Sequence, residues 1–227
     1  MITLWSLDNS RAFRVHWLLA ELGQEFELHT YPREGGKRAP ASMKSDSNFS
    51  LGKSPVLQDG ELTVWESGNC LQYLAERYGA EQGFLPGTSD WAARTEVLAW
   101  LHFSESTMLH ALAIIYARWF TPDHADELEA SAAKNVLNDL QFLEDQLAKR
   151  ASGPKFIVGD KLSIADISFT FTAEYIFGKE IALKSHEAES KYPTIVAWLR
   201  EMEQRPAYDK TVREGAKHDF SLVHGAG

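Results

Sequence analysis

The rhythm of apolar and polar positions changes once along the chain, and the change divides it. Residues 2–7 (ITLWSL) form a short apolar run, after which Phe13, Val15, Trp17, Leu18, Leu19 and Leu22 recur at helical spacing until Gly23. A strand over 2–7 and a helix over 10–22 are predicted. Residues 25–31 (EFELHTY) alternate with period two, so the opening reads as a β-α-β unit with a parallel, right-handed crossover. Residues 32–52 hold Gly35, Gly36, Pro40 and many serines without periodicity, and a loop of that length in a compact domain often has a function. The stretch SPVLQDGELTVWES then predicts two strands joined at Asp59-Gly60, followed by a helix from Gly68 to Tyr78.

Beyond GAEQGFLPGTSD no strand pattern returns. A long helix is predicted from Asp90 to Phe120, with Leu98, Leu101, Met108, Leu109, Leu112 and Ile115 as its apolar stripe and Thr121-Pro122 as its end. Others are expected over 125–150, stopped by Gly153-Pro154, over 163–177, and over 193–204, where Pro193 sits in the first turn and Pro206 just past the end. The expected organisation is an α/β domain over 1–80, a linker over 81–88 and an all-helical domain over 89–227.

Composition narrows the partners. The 227 residues carry a net charge of -9, which opposes nonspecific attraction to phosphate backbones or anionic membranes while leaving room for a small basic pocket. Nucleic acid is not expected as a partner. Cys70 stands alone, so the chain can form neither an internal disulfide nor a CxxC motif, as suits a reducing cytosol. No run approaches the roughly 18 apolar residues of a membrane span, and the N-terminus lacks a signal-peptide pattern. A cytoplasmic protein is expected.

Several positions suggest chemistry. Ser10 stands where strand becomes helix; it can simply cap the helix, yet a helix N-terminus also offers free N–H donors to a thiolate, and a hydroxyl there could donate to sulfur. Pro55 in GKSPVL is most simply a trans turn proline. A cis Ser54-Pro55 bond would instead turn the Ser54 N–H and C=O outward, as an edge for an extended peptide. Glu66 and Ser67 lie at a second strand-to-helix junction. Each alone reads as solvated acid or cap, and together they could hold the ammonium and carboxylate of an amino-acid head. Ser163-Ile164-Ala165-Asp166 reads as a structural capping box with Leu162 and Ile167 flanking it. The eight histidines show no metal-ligand spacing, with His102 and His110 read as rim or core, so no metal is predicted. Gly35-Gly36 lacks the phosphate-loop pattern. Trp100, Phe103, Tyr116, Trp119 and Phe120 read mostly as helix core, with one or two facing a cleft.

In this order NSRAFRVHWLLAELG, LGKSPVL, ESGNCLQYLAERYG and FIVGDKLSIADISF resemble the catalytic-helix, cis-proline, γ-glutamyl-binding and capping segments of the soluble glutathione transferases. SRAFR is most similar to the serine-type, theta-like branch of fungi and proteobacteria. The resemblance implies a thioredoxin-like N-terminal domain, an all-helical C-terminal domain and a cytosolic homodimer. It further implies that Ser10 donates to the glutathione sulfur, with neighbouring Asn9 as another donor, since asparagine serves so in related bacterial branches. Lowering a thiol pKa of about 8.5 by about 2, worth about 2.7 kcal/mol, would make it mostly thiolate at neutral pH. By the same resemblance Ser54 beside a cis Pro55 pairs with the cysteinyl backbone, Glu66 and Ser67 hold the γ-glutamyl head, and Lys53, helped by Lys37 and Arg38, takes the glycine carboxylate. A small hydrophobic electrophile is expected between Leu7, Phe13, Phe103, Thr107 and His110. Conjugation is the implied activity, with reduction of organic hydroperoxides beside it. No cysteine stands at the position of Ser10, which disfavours the disulfide-reducing branch, and Cys70 is expected to be buried in a helix. The rivals are a noncatalytic scaffold of the same fold and a glutathione-dependent isomerase or dehalogenase.

Overall fold

The first strand, β1 (Ile2–Leu7), lies inside a mixed four-stranded sheet, because its side chains are apolar on both faces. The computed structural model describes residues 1–149 and 156–223. β1 runs parallel to β2 (Phe26–Tyr31), with Leu4 opposite Leu28, and antiparallel to β3 (Val56–Asp59), with Leu4 opposite Leu57. β4 (Leu62–Trp65) pairs with β3 as the outer edge, giving the order β2-β1-β3-β4. Two-residue alternation along β1 supplies both layers. Ile2 and Leu4 join the large core with α1 (Ala12–Leu22) and α3 (Ser67–Arg77), while Trp5 and Leu7 meet Val56 and Met43 of α2 (Ala41–Asp46) on the other face.

The expected loop over 32–52 therefore contains a helix. At six residues, with Met43 its one buried side chain, α2 is too short to show a period. α1 starts at Ala12, two residues later than expected, and α3 at Ser67, one earlier.

The helical half follows: α4 (Trp91–Phe120), a 3-10 turn at Pro122–His124, α5 (Ala125–Ala148), α6 (Ile164–Gly178), α7 (Ser185–Lys191), α8 (Pro193–Glu203) and α9 (Pro206–Glu214). The Gly153-Pro154 stop predicted after α5 lies outside the described residues. Leu109, expected in the stripe of α4, is 67% exposed. Every residue of α6 from Ile164 to Phe177 is buried, the signature of a helix enclosed on all sides. Its start is the predicted capping box, with Asp166 accepting from the Ser163 N–H at 2.9 Å and from the Ser163 hydroxyl at 2.8 Å. The two halves share one core: Phe13 of α1 meets Tyr208 of α9 at 5.1 Å and Phe171 of α6 at 6.4 Å. This is the expected fold class, an α/β domain followed by an all-helical one.

Among the described residues no helix is long and apolar enough to cross a membrane, and no group of three or more His, Cys, Asp or Glu side chains could hold a metal ion.

Candidate active site

A cleft of about 560 Å³ separates the end of β1 from the helical half. Its N-terminal wall is Leu7, Asn9, Ser10, Arg11, Arg33, Lys37, Arg38, Lys53 and Ser54; its helical wall is Met108, Leu112, Tyr116, Trp119 and Phe120 of α4 with Phe171 and Tyr175 of α6.

Ser10 sits at the floor, 8% exposed, directly after the sheet ends. Its Oγ accepts from the Ala12 N–H at 3.3 Å and lies 3.3 Å from the Ser54 Oγ. The Ser54 oxygen accepts from the Leu7 N–H at 3.0 Å, and its own proton points to the Trp5 carbonyl at 3.3 Å. With the Ser54 proton on the Trp5 carbonyl, Ser10 is the donor between the two hydroxyls, across a distance at the long end of the range. A better acceptor placed in the cleft could take that proton without breaking a strong bond. The Ser54-Pro55 peptide is cis.

A smaller depression continues from Ser54 and Lys53 past Arg11 to Phe49, Trp65, Glu66 and Ser67. Glu66 caps α3 with φ of 67° and ψ of 126°, a backbone conformation unusual for a residue with a Cβ, and its side chain is exposed. Ser67 opens the helix, where the first N–H groups have no intrahelical acceptor. It is buried, and its hydroxyl accepts from Arg14 Nη1 at 3.0 Å, keeping its own proton to donate.

Arg14 is the hub behind this wall. Fully buried, it binds Glu105, and its Nη2 donates to Thr172 Oγ1 at 2.7 Å and Ser104 Oγ at 3.3 Å, so one guanidinium joins α1, α3, α4 and α6. Arg11 takes the other oxygen of Glu105. Burial raises the Glu105 carboxyl, but Arg14 and Arg11 outweigh it and bring the group to about 2. Burial lowers Arg14, against the pull of Glu105.

The long loop closes over the cleft. Lys37 Nζ donates to the Trp119 carbonyl at 2.8 Å and lies 5.6 Å from the Phe120 ring centre, and the Arg38 guanidinium lies 5.3 Å from the same ring. Arg33 beneath them braces the turn before Ser10 by donating to the carbonyls of Asp8 and Asn9.

Of the predicted residues, Leu7, Asn9, Ser10, Lys37, Arg38, Lys53 and Ser54 line the cleft, and Pro55, Glu66 and Ser67 line its extension. The expected electrophile wall is corrected except at Leu7. Phe13 faces inward, 3.9 Å from the His218 ring; Phe103 packs against Trp100, Phe142 and Phe169; Thr107 is buried; His110 binds Asp139 at 3.1 Å. On α4 the residues that line the cleft are Met108, Leu112, Tyr116, Trp119 and Phe120. Phe103 precedes Met108 by five residues, about 140° around a helix of 3.6 residues per turn. Three of the five aromatics of α4 named above line the cleft, Tyr116, Trp119 and Phe120. Arg11, Arg14 and Arg33 escaped the sequence reading, although SRAFR showed two of them one helical turn apart. Cys70 is buried beside the Val64 carbonyl, and burial pushes its thiol up, away from nucleophilic use.

Two family models match: "Glutathione S-transferase, N-terminal domain" over residues 1–76 and "Glutathione S-transferase, C-terminal domain" over 107–206. A crystal structure of a glutathione S-transferase from Actinobacillus pleuropneumoniae superposes with a TM-score of 0.79 at 30% identity, covering 98% of this chain and 96% of that one. The chain belongs to the glutathione S-transferase family. Glutathione S-transferase 3 of Schizosaccharomyces pombe is 29% identical to this transferase over 220 residues, 91% of this chain and 85% of the relative. Ure2p, solved in complex with glutathione, superposes with a TM-score of 0.77 at 25% identity over 94% of each chain.

Proposed function

We propose that this transferase binds glutathione along the depression from Glu66 to Lys53, holds its thiol as thiolate at Ser10 and presents it to an electrophile against the aromatic wall. The observation that carries the reading is the Ser10 hydroxyl, a donor held in place by the Ala12 N–H and the Ser54 oxygen and facing an open cleft. Glu66 takes the α-ammonium group of the γ-glutamyl head, and Ser67 with the α3 N-terminus takes its carboxylate. The cysteinyl backbone pairs with Ser54. Lys53, with Lys37 and Arg38 nearby, faces the glycine carboxylate. The thiol proton leaves to solvent, the sulfur forms a bond to the electrophilic carbon, and the leaving group departs with the electrons of the broken bond. Catalysis comes from supplying a positioned thiolate at neutral pH.

Asn9 acts by position, since its side-chain amide is engaged by Asp219. The protein works in the cytoplasm as a homodimer. The pairing would cover Leu51, Leu62 and Trp65, which are 57%, 50% and 46% exposed at and beside the β4 edge.

The test is the ultraviolet thiolate absorbance of bound glutathione against pH, for the wild type and Ser10→Ala. A thiol pKa well below 8.5 that rises in the variant supports the reading. A depressed value unchanged by the substitution removes Ser10 from the role, and absence of glutathione binding turns the protein toward the scaffold alternative.

A further inference from the structure

Arg33 is held in the cleft by backbone carbonyls at three of its nitrogens. It is half-buried, and its Nε, Nη1 and Nη2 donate to the carbonyls of Asp8 at 2.8 Å, Lys37 at 2.8 Å and Asn9 at 3.2 Å. Arg11, by contrast, is bound to the Glu105 carboxylate, while Lys37 and Arg38 lie over the Phe120 ring. Carbonyl dipoles fix the plane of the Arg33 guanidinium but leave its full charge, and two of its five N–H donors, for another partner. The Asp8 carboxylate acts on it from longer range and is itself held by the Lys217 N–H at 2.9 Å. Burial lowers the Arg33 pKa, opposed by Tyr175, Tyr116 and Asp8, the two phenols belonging to the facing wall of the same cleft. A partly desolvated cation thus stands at the junction of the Asp8-Asn9 turn and the aromatic wall.

We propose that Arg33 recognises an anionic group on the second substrate, and that the preferred electrophiles are planar aromatic molecules bearing a carboxylate or sulfonate.

This rests on the glutathione-transferase reading and specifies its second substrate. Tyr116, Trp119 and Phe120 have ring centres within 5.9 to 6.2 Å of one another and provide the surface on which an aryl ring would stack. Glutathione reaches the cleft from the Glu66 side, so Lys53 lies closer than Arg33 to its path along the smaller depression. The chain as a whole carries a net charge of -9, so attraction of an anion to the cleft is local, from the cations that line it. The reaction forms a sulfur–carbon bond at the ring carbon bearing a halide, the carbon–halogen bond breaks, and the halide leaves with its electrons. The carboxylate stays on the ring at Arg33.

The experiment uses the full chain, glutathione and two electrophiles of one skeleton: 4-chloro-3,5-dinitrobenzoate and its methyl ester. Each enzymatic kcat/KM is divided by the uncatalysed rate constant with glutathione. The wild type should favour the carboxylate by about tenfold or more, the value of one charge-assisted hydrogen bond. The preference should collapse toward one in Arg33→Gln, survive in part in Arg33→Lys, and shrink in the wild type as salt is raised. A wild-type ratio at or below one overturns the inference. So does an Arg33→Gln ratio equal to wild type with a raised KM for glutathione, which would assign Arg33 to the tripeptide. Conjugation of the ester without charge preference leaves the transferase reading standing, whereas conjugation of neither removes that reading itself.

Discussion

Asn9 and Asp219, 210 residues apart, exchange two hydrogen bonds: the Asn9 Nδ2 donates to the Asp219 carboxylate at 3.0 Å, and the Asp219 N–H donates to the Asn9 Oδ1 at 2.9 Å. The Asn9 N–H donates to the Lys217 carbonyl at 2.7 Å, and the Lys217 N–H to Asp8 at 2.9 Å. Residues 217–219 therefore brace the turn that carries Ser10, and Asn9 holds a φ of 51° within that brace.

Asp219→Ala should loosen this turn by releasing the Asn9 side chain, without substituting any residue that lines the cleft. The expected result is a higher thiol pKa for bound glutathione and a kcat lowered about fivefold, the kinetic equivalent of roughly 1 kcal/mol, with KM for glutathione little changed. A pure loss of stability with an unmoved pKa profile would show that the brace does not act on the thiol.

Arg14→Met should be costly. It removes one of the two guanidinium partners of Glu105, whose other oxygen stays with Arg11, and takes a donor from the hydroxyls of Ser67, Ser104 and Thr172, so the loss should approach the roughly 3–5 kcal/mol of a broken buried pair without reaching its upper end. Arg14→Lys should recover only part, because an ammonium cannot span four partners. Urea midpoints of the three proteins measure this. The Glu105 carboxyl is depressed to about 2, so its share of stability is present above its unfolded value of about 4.3 and is lost as pH falls toward 2.

Gly215 follows α9 and leads into the brace. A Cβ there would stand 2.4 Å from the Thr211 carbonyl oxygen and 2.8 Å from His16 Nδ1, and backbone cannot yield as a flexible side chain does. Gly215→Ala should destabilise by about 1–3 kcal/mol, read as a lower melting temperature. A melting temperature equal to wild type would mean that the α9 terminus relaxes freely.

Two buried acids titrate the other way. Burial raises Glu174 to about 8, despite its bond from Tyr208 at 2.6 Å; burial and then the charge of Glu174 raise Glu203 to about 7. Their folded values lie above the unfolded value of about 4.3, so they bind protons that unfolding releases; the stability they contribute is full below about pH 4.3 and is lost as pH rises through 7 to 8. Glu203→Gln should flatten the decline in unfolding free energy between pH 5 and 8 relative to wild type. Parallel curves for the two proteins would remove Glu203 from the effect.

Thr107 carries a buried hydroxyl that has no hydrogen-bond partner among the described residues. Thr107→Val should leave conjugation kinetics unchanged and raise stability slightly, by up to about 1 kcal/mol, since an unmet polar group is removed at constant shape. A raised KM for the electrophile would return Thr107 to the substrate wall.

How far the sequence could be read depended on whether a signal was local. β1, α1, the hairpin at Asp59-Gly60 and the Ser163 cap each announce themselves through neighbours a few residues apart, and Ser10, Ser54, Glu66 and Ser67 sit at junctions between such elements. α2 was missed because six residues cannot display a helical period. The inner face of α4 was misjudged because apolar residues surround that helix, so phase alone does not say which side meets α6 and which the cleft. Arg33 was invisible because its meaning lies in the carbonyls of Asp8, Lys37 and Asn9, which only the folded chain brings together. Glu174 and His218, 2.9 Å apart and both buried, meet across 44 residues and likewise left no trace in spacing.

The brace from Lys217 to Asp219 also sets an order of events in time. A ribosome that has made the turn before Ser10 reaches position 219 some 210 residues later, about 10–40 s at 5–20 residues per second. Until then β1 and α1 can form and pack, but the Asp8-Asn9 turn lacks the partners that fix it. The nascent chain thus fixes the turn that carries Ser10 only after both halves exist, and a chain caught mid-synthesis would hold the Ser10 side chain without the posture of the finished fold.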